Sequence, residues 1–152
     1  MVRIRQARRD EGALLTGLAF RSKAFWGYDS AFLERAKSDL EFRSAKFEPD
    51  FHVYVIEASG DAAGFYSLIP LDSDSIELHD LFVDPRQIGK GFGTELWQHA
   101  VGLSKRLGFK RLVLTADPNA EPFYLHCGAV RTGEKVSPVD ARRRLPIMEF
   151  SL

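Results

Sequence analysis

The run Asp80-Leu81-Phe82-Val83-Asp84-Pro85-Arg86-Gln87-Ile88-Gly89-Lys90-Gly91-Phe92-Gly93-Thr94 decides the fold. An apolar segment stops at a proline, three glycines follow within five residues, and a long amphipathic pattern begins. That succession reads as a strand, a glycine turn and a helix N-terminus. Glycine admits positive φ and lets a ligand approach the backbone closely. Amide groups at the turn, with the positive end of the helix dipole behind them, make a seat for a phosphate-bearing ligand.

Working outward, Val2, Ile4 and Gln6 alternate with Arg3 and Arg5 as a half-exposed first strand. Asp10 heads a helical pattern carried by Leu14, Leu15, Leu18, Ala19 and Phe25. The aromatic stretch Phe25-Trp26-Gly27-Tyr28-Asp29 interrupts it, and a second helix is expected from Ser30 to about Ala45, with Phe32, Leu33, Ala36, Leu40 and Phe42 on one side. Strands are expected over 51–58, 63–71 and 75–83, with Ser59-Gly60-Asp61 and Asp72-Ser73-Asp74 as turns. After the glycine turn a helix spans about Gly91 to Leu107, with Leu96, Trp97, Ala100, Val101, Ser104 and Leu107 inward and Gly108 as its stop. A short strand at 111–116, a brief helix from Asp117-Pro118-Asn119 to Gly128, and strands at 129–136 and 145–151 complete the chain. The order β-α-α-β-β-β-α-β-α-β-β is that of a mixed α/β layered domain, expected to be one domain over 1–152.

Bulk properties narrow the class. Basic and acidic residues number 21 each, which gives no pull toward nucleic acid or an anionic membrane. A single cysteine, Cys127, excludes an internal disulfide and suits a reducing compartment. No apolar run approaches a membrane span and the N-terminus has no signal-peptide core, so a cytoplasmic location is expected. His52, His99 and His126 stand singly, and no metal spacing is present.

The spacing of the glycines tests the candidate phosphate ligands. A Walker loop needs Gly-x4-Gly-Lys-[Ser/Thr], and Lys90 precedes the later glycines. A dinucleotide fingerprint needs Gly-x-Gly-x-x-Gly in a first βαβ unit, whereas Gly-x-Gly-x-Gly here follows a meander. The segment Val83-Asp84-Pro85 with Gly89-Lys90-Gly91-Phe92-Gly93 instead resembles the signature of the GNAT superfamily of N-acetyltransferases, [Arg/Gln]-x-x-Gly-x-[Gly/Ala]. Gly91 and Gly93 match, and Ile88 stands where the family has Arg or Gln. A second stretch, Asn119-Ala120-Glu121-Pro122-Phe123-Tyr124-Leu125-His126-Cys127-Gly128-Ala129, resembles the family's Asn/Ala-x-x-Phe-Tyr-x-x-x-Gly-Phe helix, with Ala129 for the final Phe.

The resemblance implies a GNAT-like, mostly antiparallel central sheet flanked by helices, with acetyl-CoA as co-substrate and no metal. It implies a fourth strand that splays from the fifth so that the coenzyme enters between them. Phe82 and Val83 would pair with the pantetheine through their backbone. The amides of Ile88, Gly89, Lys90, Gly91, Phe92, Gly93 and Thr94 would hold the pyrophosphate. Asn119 is either a contact to the pantetheine or a helix cap, and Phe123 would pack against the same arm. Tyr124 matches the tyrosine the family uses as general acid to the departing thiolate. Glu77, five residues before Phe82, stands where several members place a catalytic carboxylate.

The expected reaction is direct transfer of an acetyl group to a primary amine of a small molecule or peptide. An alkyl ammonium of pKa about 10.4 is roughly 0.04% neutral at pH 7, a deficit of about 4.6 kcal/mol, which a general base offsets. Strand alternation puts His79 beside Glu77 in one proton path and sends Asp80 to the opposite face. The same two residues also fit a solvated strand face. Cys127 is read as a packing residue rather than a nucleophile. The resemblance implies an acceptor near Phe25, Trp26, Tyr28 and Asp29 and near the last hairpin, whose arginines Arg142, Arg143 and Arg144 are read as a solvated charge run rather than as a grip on an acidic acceptor or the coenzyme phosphates. No nucleic acid or membrane partner is expected, and homodimerisation stays open. The rival reading is a coenzyme-binding sensor without turnover.

Overall fold

The computed structural model describes residues 1–40 and 49–152. Seven strands form one sheet: β1 (Val2–Gln6), β2 (His52–Ala58), β3 (Asp61–Pro70), β4 (Ser75–Val83), β5 (Arg111–Thr115), β6 (Val130–Val136) and β7 (Arg144–Ser151). Their spatial order is β1-β2-β3-β4-β5-β7-β6. Neighbours are antiparallel throughout except β4 and β5, which are parallel. Four helices flank the sheet: α1 (Gly12–Ala24), α2 (Ser30–Leu40), α3 (Phe92–Arg106) and α4 (Glu121–His126). The element order and the mostly antiparallel sheet are those expected from the sequence. The part of the second helix predicted beyond Leu40, with Phe42, lies outside the described residues.

Each sheet face carries its own apolar cluster. On one, Leu15, Leu18 and Ala19 of α1 meet Phe32, Ala36 and Leu40 of α2 over Val53, Val55 and Phe65. On the other, Leu96, Trp97, Ala100 and Leu103 of α3 pack on Tyr66, Leu68, Ile76, Leu78 and Leu112. Burying each such large side chain is worth about 1.5–3 kcal/mol, so both layers contribute directly to stability. Two details of the predicted helix faces change. Leu14 and Phe25 of the α1 pattern are exposed, and on α3 it is Leu103 that turns inward while Leu107 is exposed. The α3 stripe therefore follows i, i+4, i+7 from Leu96 and ends before the C-cap at Leu107.

Turn chemistry follows the sequence closely. Ser59 (φ 54°) and Gly60 (φ 84°) form the two-residue loop between β2 and β3, both with the positive φ of a primed hairpin turn. Asp72 accepts from the amides of Asp74 and Ser75 and closes the β3–β4 turn. At the β1 end, the buried Glu11 takes Arg5 in a two-pronged pair at 2.9 and 2.7 Å.

One irregularity positions the site. Ser67 pairs with Asp80 and Leu68 with Leu78, so His79 is an extra residue on β4 without a partner on β3. Such a bulge shifts the side-chain alternation by one. Ile76, Leu78 and Leu81 face the α3 layer while Phe82 faces the α1–α2 layer. Asp80 therefore shares the face of Phe82 and Glu77, contrary to the parity expected from the sequence.

Candidate active site

The parallel pairing of β4 with β5 covers only Ser75–Glu77 against Arg111–Val113. β4 continues to Val83 and β5 to Thr115, so the strands part after Glu77. Residues 78–83 keep their bonds to β3 and leave their other edge open. A cleft of about 680 Å³ occupies the gap.

At one end of this cleft the chain leaves β4 through a tightly held corner. Asp84, 1% exposed, receives the amide of Arg86 at 3.0 Å, its Nη2 at 2.6 Å, and Nη2 of Arg21 from α1 at 3.0 Å. Arg86 above all, working against burial, holds the Asp84 carboxyl well below the usual carboxylate range. Gly89 (φ 87°) and Gly91 (φ 79°) then turn the chain, and Gly91 is the residue from which α3 starts. Here the positive φ requires glycine. Gly93 lies in the first turn of α3, where a Cβ would sit 3.4 Å from the Phe123 ring.

Ile88, Gly89, Gly91, Phe92, Gly93 and Thr94 all border the cleft, as do Phe82, Val83, Asn119 and Phe123. Lys90 does not, and its Nζ donates to Gln87 Oε1 at 2.8 Å. Phe92 is buried in the α3 layer, which leaves its backbone to face the opening. An unpaired strand edge leading to a helix N-terminus fits a ligand with an extended amide-bearing arm and a phosphate group.

Midway along the cleft lie the titratable groups. Glu77 Oε1 is 3.0 Å from His79 Nδ1. That bond first, opposed by burial and aided by the charges of His79 and Lys135, lowers the Glu77 pKa, so the carboxylate is ionised at neutral pH. Asp80 accepts from Ser67 Oγ at 2.6 Å. Tyr124, on α4, is 6% exposed, and burial pushes its hydroxyl well above the ordinary phenol value, with Cys127, Asp80 and Asp117 acting in the same direction. Its hydroxyl makes no hydrogen bond to any described residue and is not sealed from solvent, so it opens on the cleft. Burial likewise raises the Cys127 thiol, and Cys127 does not border the cleft.

At the other end, Phe25 and Trp26 border the opening, with rings edge-to-face at 5.8 Å. Tyr28 and Asp29 do not border it. Asp29 Oδ1 accepts from the Phe32 amide at 2.7 Å and caps α2. Tyr28 stacks on Phe32 at 4.3 Å, donates to Asp117 at 2.8 Å, and accepts from Asn119 Nδ2 at 2.8 Å and Arg143 Nη2 at 2.7 Å. Burial, then Asp117, pushes the Tyr28 hydroxyl up to about 12. Lys23 of α1 pairs with the same Asp117. Asp117 caps the single 3-10 turn Pro118–Ala120 that precedes α4, accepting from the Asn119 amide at 2.9 Å. The helix-cap reading of Asn119 is thus taken by its neighbour.

Several of these residues were not singled out by the sequence. An aspartate directly before a proline is a local turn signal, and both Asp84 and Asp117 carry it. Arg21, Lys23 and Arg143 carry no local signal, because their partners lie 63, 94 and 115 residues away. Among the described residues no three His, Cys, Asp or Glu side chains converge as a metal site, and no helix is long and apolar enough to cross a membrane.

Comparison with known proteins gives a consistent pattern. The family model described as Acetyltransferase (GNAT) family matches residues 19–129. Curated protein sequences give no match. Among solved structures, a GCN5-related N-acetyltransferase from Rhodopseudomonas palustris is 21% identical, with a TM-score of 0.82 over 99% of this chain and 95% of that one. The PaiA N-acetyltransferase of Thermoplasma acidophilum, in complex with coenzyme A, is 21% identical with a TM-score of 0.75 over 100% and 99%. A spermidine N-acetyltransferase of Vibrio cholerae, in complex with coenzyme A and spermine, is 20% identical with a TM-score of 0.74 over 99% and 95%.

Proposed function

Because the chain belongs to the acetyltransferase (GNAT) family, we propose that it moves an acetyl group from acetyl-CoA to a primary amine of a small molecule by direct attack in a ternary complex. One observation carries this reading: the open edge of β4 after Glu77 runs straight into the positive-φ turn that starts α3. Backbone groups of Phe82 and Val83 hold the amide-bearing pantetheine arm, and the amides from Ile88 to Thr94 hold the pyrophosphate. With Ile88 at the leading position, this grip is made by backbone dipoles rather than by a guanidinium. Phe123 and Asn119 line the opposite side of the arm.

Glu77 and His79 take the proton from the incoming ammonium. Ionised Glu77 accepts only, so His79 presents Nδ1–H to it and keeps Nε2 as an acceptor. The neutral amine nitrogen bonds to the acetyl carbonyl carbon and the carbon–sulfur bond breaks. Tyr124 gives its proton to the leaving sulfur and regains one as the new amide nitrogen sheds its second proton. A phenol held protonated by burial suits that role, because the thiolate's conjugate acid, of pKa about 8.5, is generated beside it. A backbone amide near Val83 stabilises the charge that builds on the carbonyl oxygen.

The test is isothermal calorimetry with acetyl-CoA followed by a coenzyme A release assay over a panel of amines. Micromolar binding and turnover of at least one amine are expected. Binding without turnover across the panel would favour the sensor reading, and no binding would remove both.

A further inference from the structure

The acceptor end of the cleft carries an unusual balance of charge. Asp29, the acid that the sequence put near the amine, is spent on capping α2. Of the described carboxylates that border the cleft, Asp117 is paired with Lys23 and Arg143, and the buried Asp80 accepts from the Ser67 hydroxyl. Glu77 alone stands beside the reacting position, with His79 on one side. Lys135 of β6 is exposed, borders the same cleft, and forms no hydrogen bond or ion pair with any described residue. Its charge is felt at Glu77. Among the described residues the opening thus presents one partly exposed carboxylate, Glu77, and one cation without a partner, Lys135, together with an apolar wall that includes Phe25, Trp26 and Val139.

A polyamine or an aminoglycoside brings several ammonium groups and needs several carboxylates to receive them. A zwitterion needs one of each sign a few ångströms apart, plus a pocket for its side chain. An exposed lysine at the mouth of a cleft stays hydrated when alone and offers an incoming carboxylate a charge-assisted hydrogen bond. We infer that the acceptor is a free α-amino acid with an apolar or aromatic side chain, its ammonium at Glu77, its carboxylate at Lys135 and its side chain against Phe25 and Trp26. This deepens the acetyl-transfer reading and rests on it.

The experiment compares initial rates for leucine, methionine, phenylalanine and tryptophan with those for their amides, which keep the amine and lose the carboxylate. Spermidine and kanamycin serve as multiply charged competitors. The free acids are expected to exceed their amides in kcat/KM by at least 10-fold, mostly through KM, and to exceed both competitors. Lys135→Gln should bring the acid-to-amide ratio close to 1 with acetyl-CoA affinity, read by calorimetry, unchanged. A ratio near 1 in the wild type, preferred turnover of spermidine or kanamycin, or an unaltered ratio in Lys135→Gln overturns the assignment while leaving acetyl transfer intact. Turnover confined to amines outside the panel overturns it equally. Absence of acetyl-CoA binding would overturn the underlying reading as well.

Discussion

Glu77 and His79 reach each other at 3.0 Å across the single residue Leu78, and the β4 bulge begins at that point. The carboxylate is ionised and orients the imidazole, and both face the widening gap between β4 and β5. A strand with unbroken pairing would keep this pair on a solvated face. Here the loss of β5 beside it turns the same two side chains into a wall of the cleft.

Replacing Glu77 by Gln keeps an oxygen that accepts from His79 and removes the charge. We expect kcat/KM at pH 7 to fall by about 10²-fold, the lower end of what a positioned base contributes. The variant would then rely on amine that is already neutral, so its rate should climb about tenfold per pH unit toward the amine pKa, whereas the wild type levels off earlier. Superimposable pH profiles would move the base away from Glu77, and His79→Ala is the next variant to measure.

Tyr124→Phe removes a hydroxyl that has no hydrogen-bond partner among the described residues, so little structural stability is lost. A kcat lowered by about 10²-fold with unchanged coenzyme affinity is expected. Burial keeps the Tyr124 pKa above its ordinary value, so no alkaline limb from this group should appear below about pH 10. Wild-type turnover at saturating substrate would remove it as the acid.

Gly91→Val forces a branched side chain into φ 79°, and Gly93→Val drives γ-carbons toward Phe123. Both should lower acetyl-CoA affinity by at least about tenfold, at a strain of roughly 1–2 kcal/mol for the first. Circular dichroism should show the fold retained. Unchanged calorimetric affinity would separate the loop from the coenzyme.

Gly64 on β3 supports the same wall from behind. A Cβ there would lie 2.7 Å from the carbonyl oxygen of Phe82 and 3.1 Å from Leu96. Gly64→Ala is expected to cost about 1–3 kcal/mol in urea unfolding and to weaken coenzyme binding by displacing the Phe82 edge. Wild-type stability together with wild-type affinity would show that the strand gives way freely.

Glu11 gives a stability prediction independent of catalysis. The hydrogen bond from Arg5, stronger than the opposing burial, lowers its pKa from 4.5 to about 2. The depressed folded value means that its contribution is complete above about pH 4.5 and is lost as the pH falls toward 2. Glu11→Gln should cost on the order of 3 kcal/mol at pH 7. The urea midpoints of wild type and variant should converge as the pH approaches 2. A constant gap between them would place the effect elsewhere.

Much of this was legible in the sequence, because its signals are local. The glycine turn, the hairpin at Ser59-Gly60 and the strand alternation from 51 to 83 each depend on residues a few positions apart. The side on which Asp80 emerges was not legible, since a period of two cannot count an extra residue opposite β3. Nor was the capping role of Asp29, whose Oδ1 accepts from the Phe32 amide at the start of α2. The brackets around the cleft were hidden for a third reason. Tyr28, Asp117 and Arg143 come from three segments that only the tertiary fold brings together.

The end of α1 gives the cleft its mechanical character. Arg21 reaches Asp84 beside the glycine turn, and Lys23, half a turn later, reaches Asp117 before α4. One rigid helix terminus is thus pinned to both jaws of the gap, as a crossbar fixes the legs of a trestle. Tyr28 of the aromatic loop is tied to the same Asp117, whereas the exposed Phe25 and Trp26 hang from this crossbar without joining its polar contacts. On the proposed acetyl-transfer reading, exchanges at Phe25 and Trp26 would change which amine is admitted while the Arg21–Asp84 and Lys23–Asp117 pairs keep the jaw spacing constant.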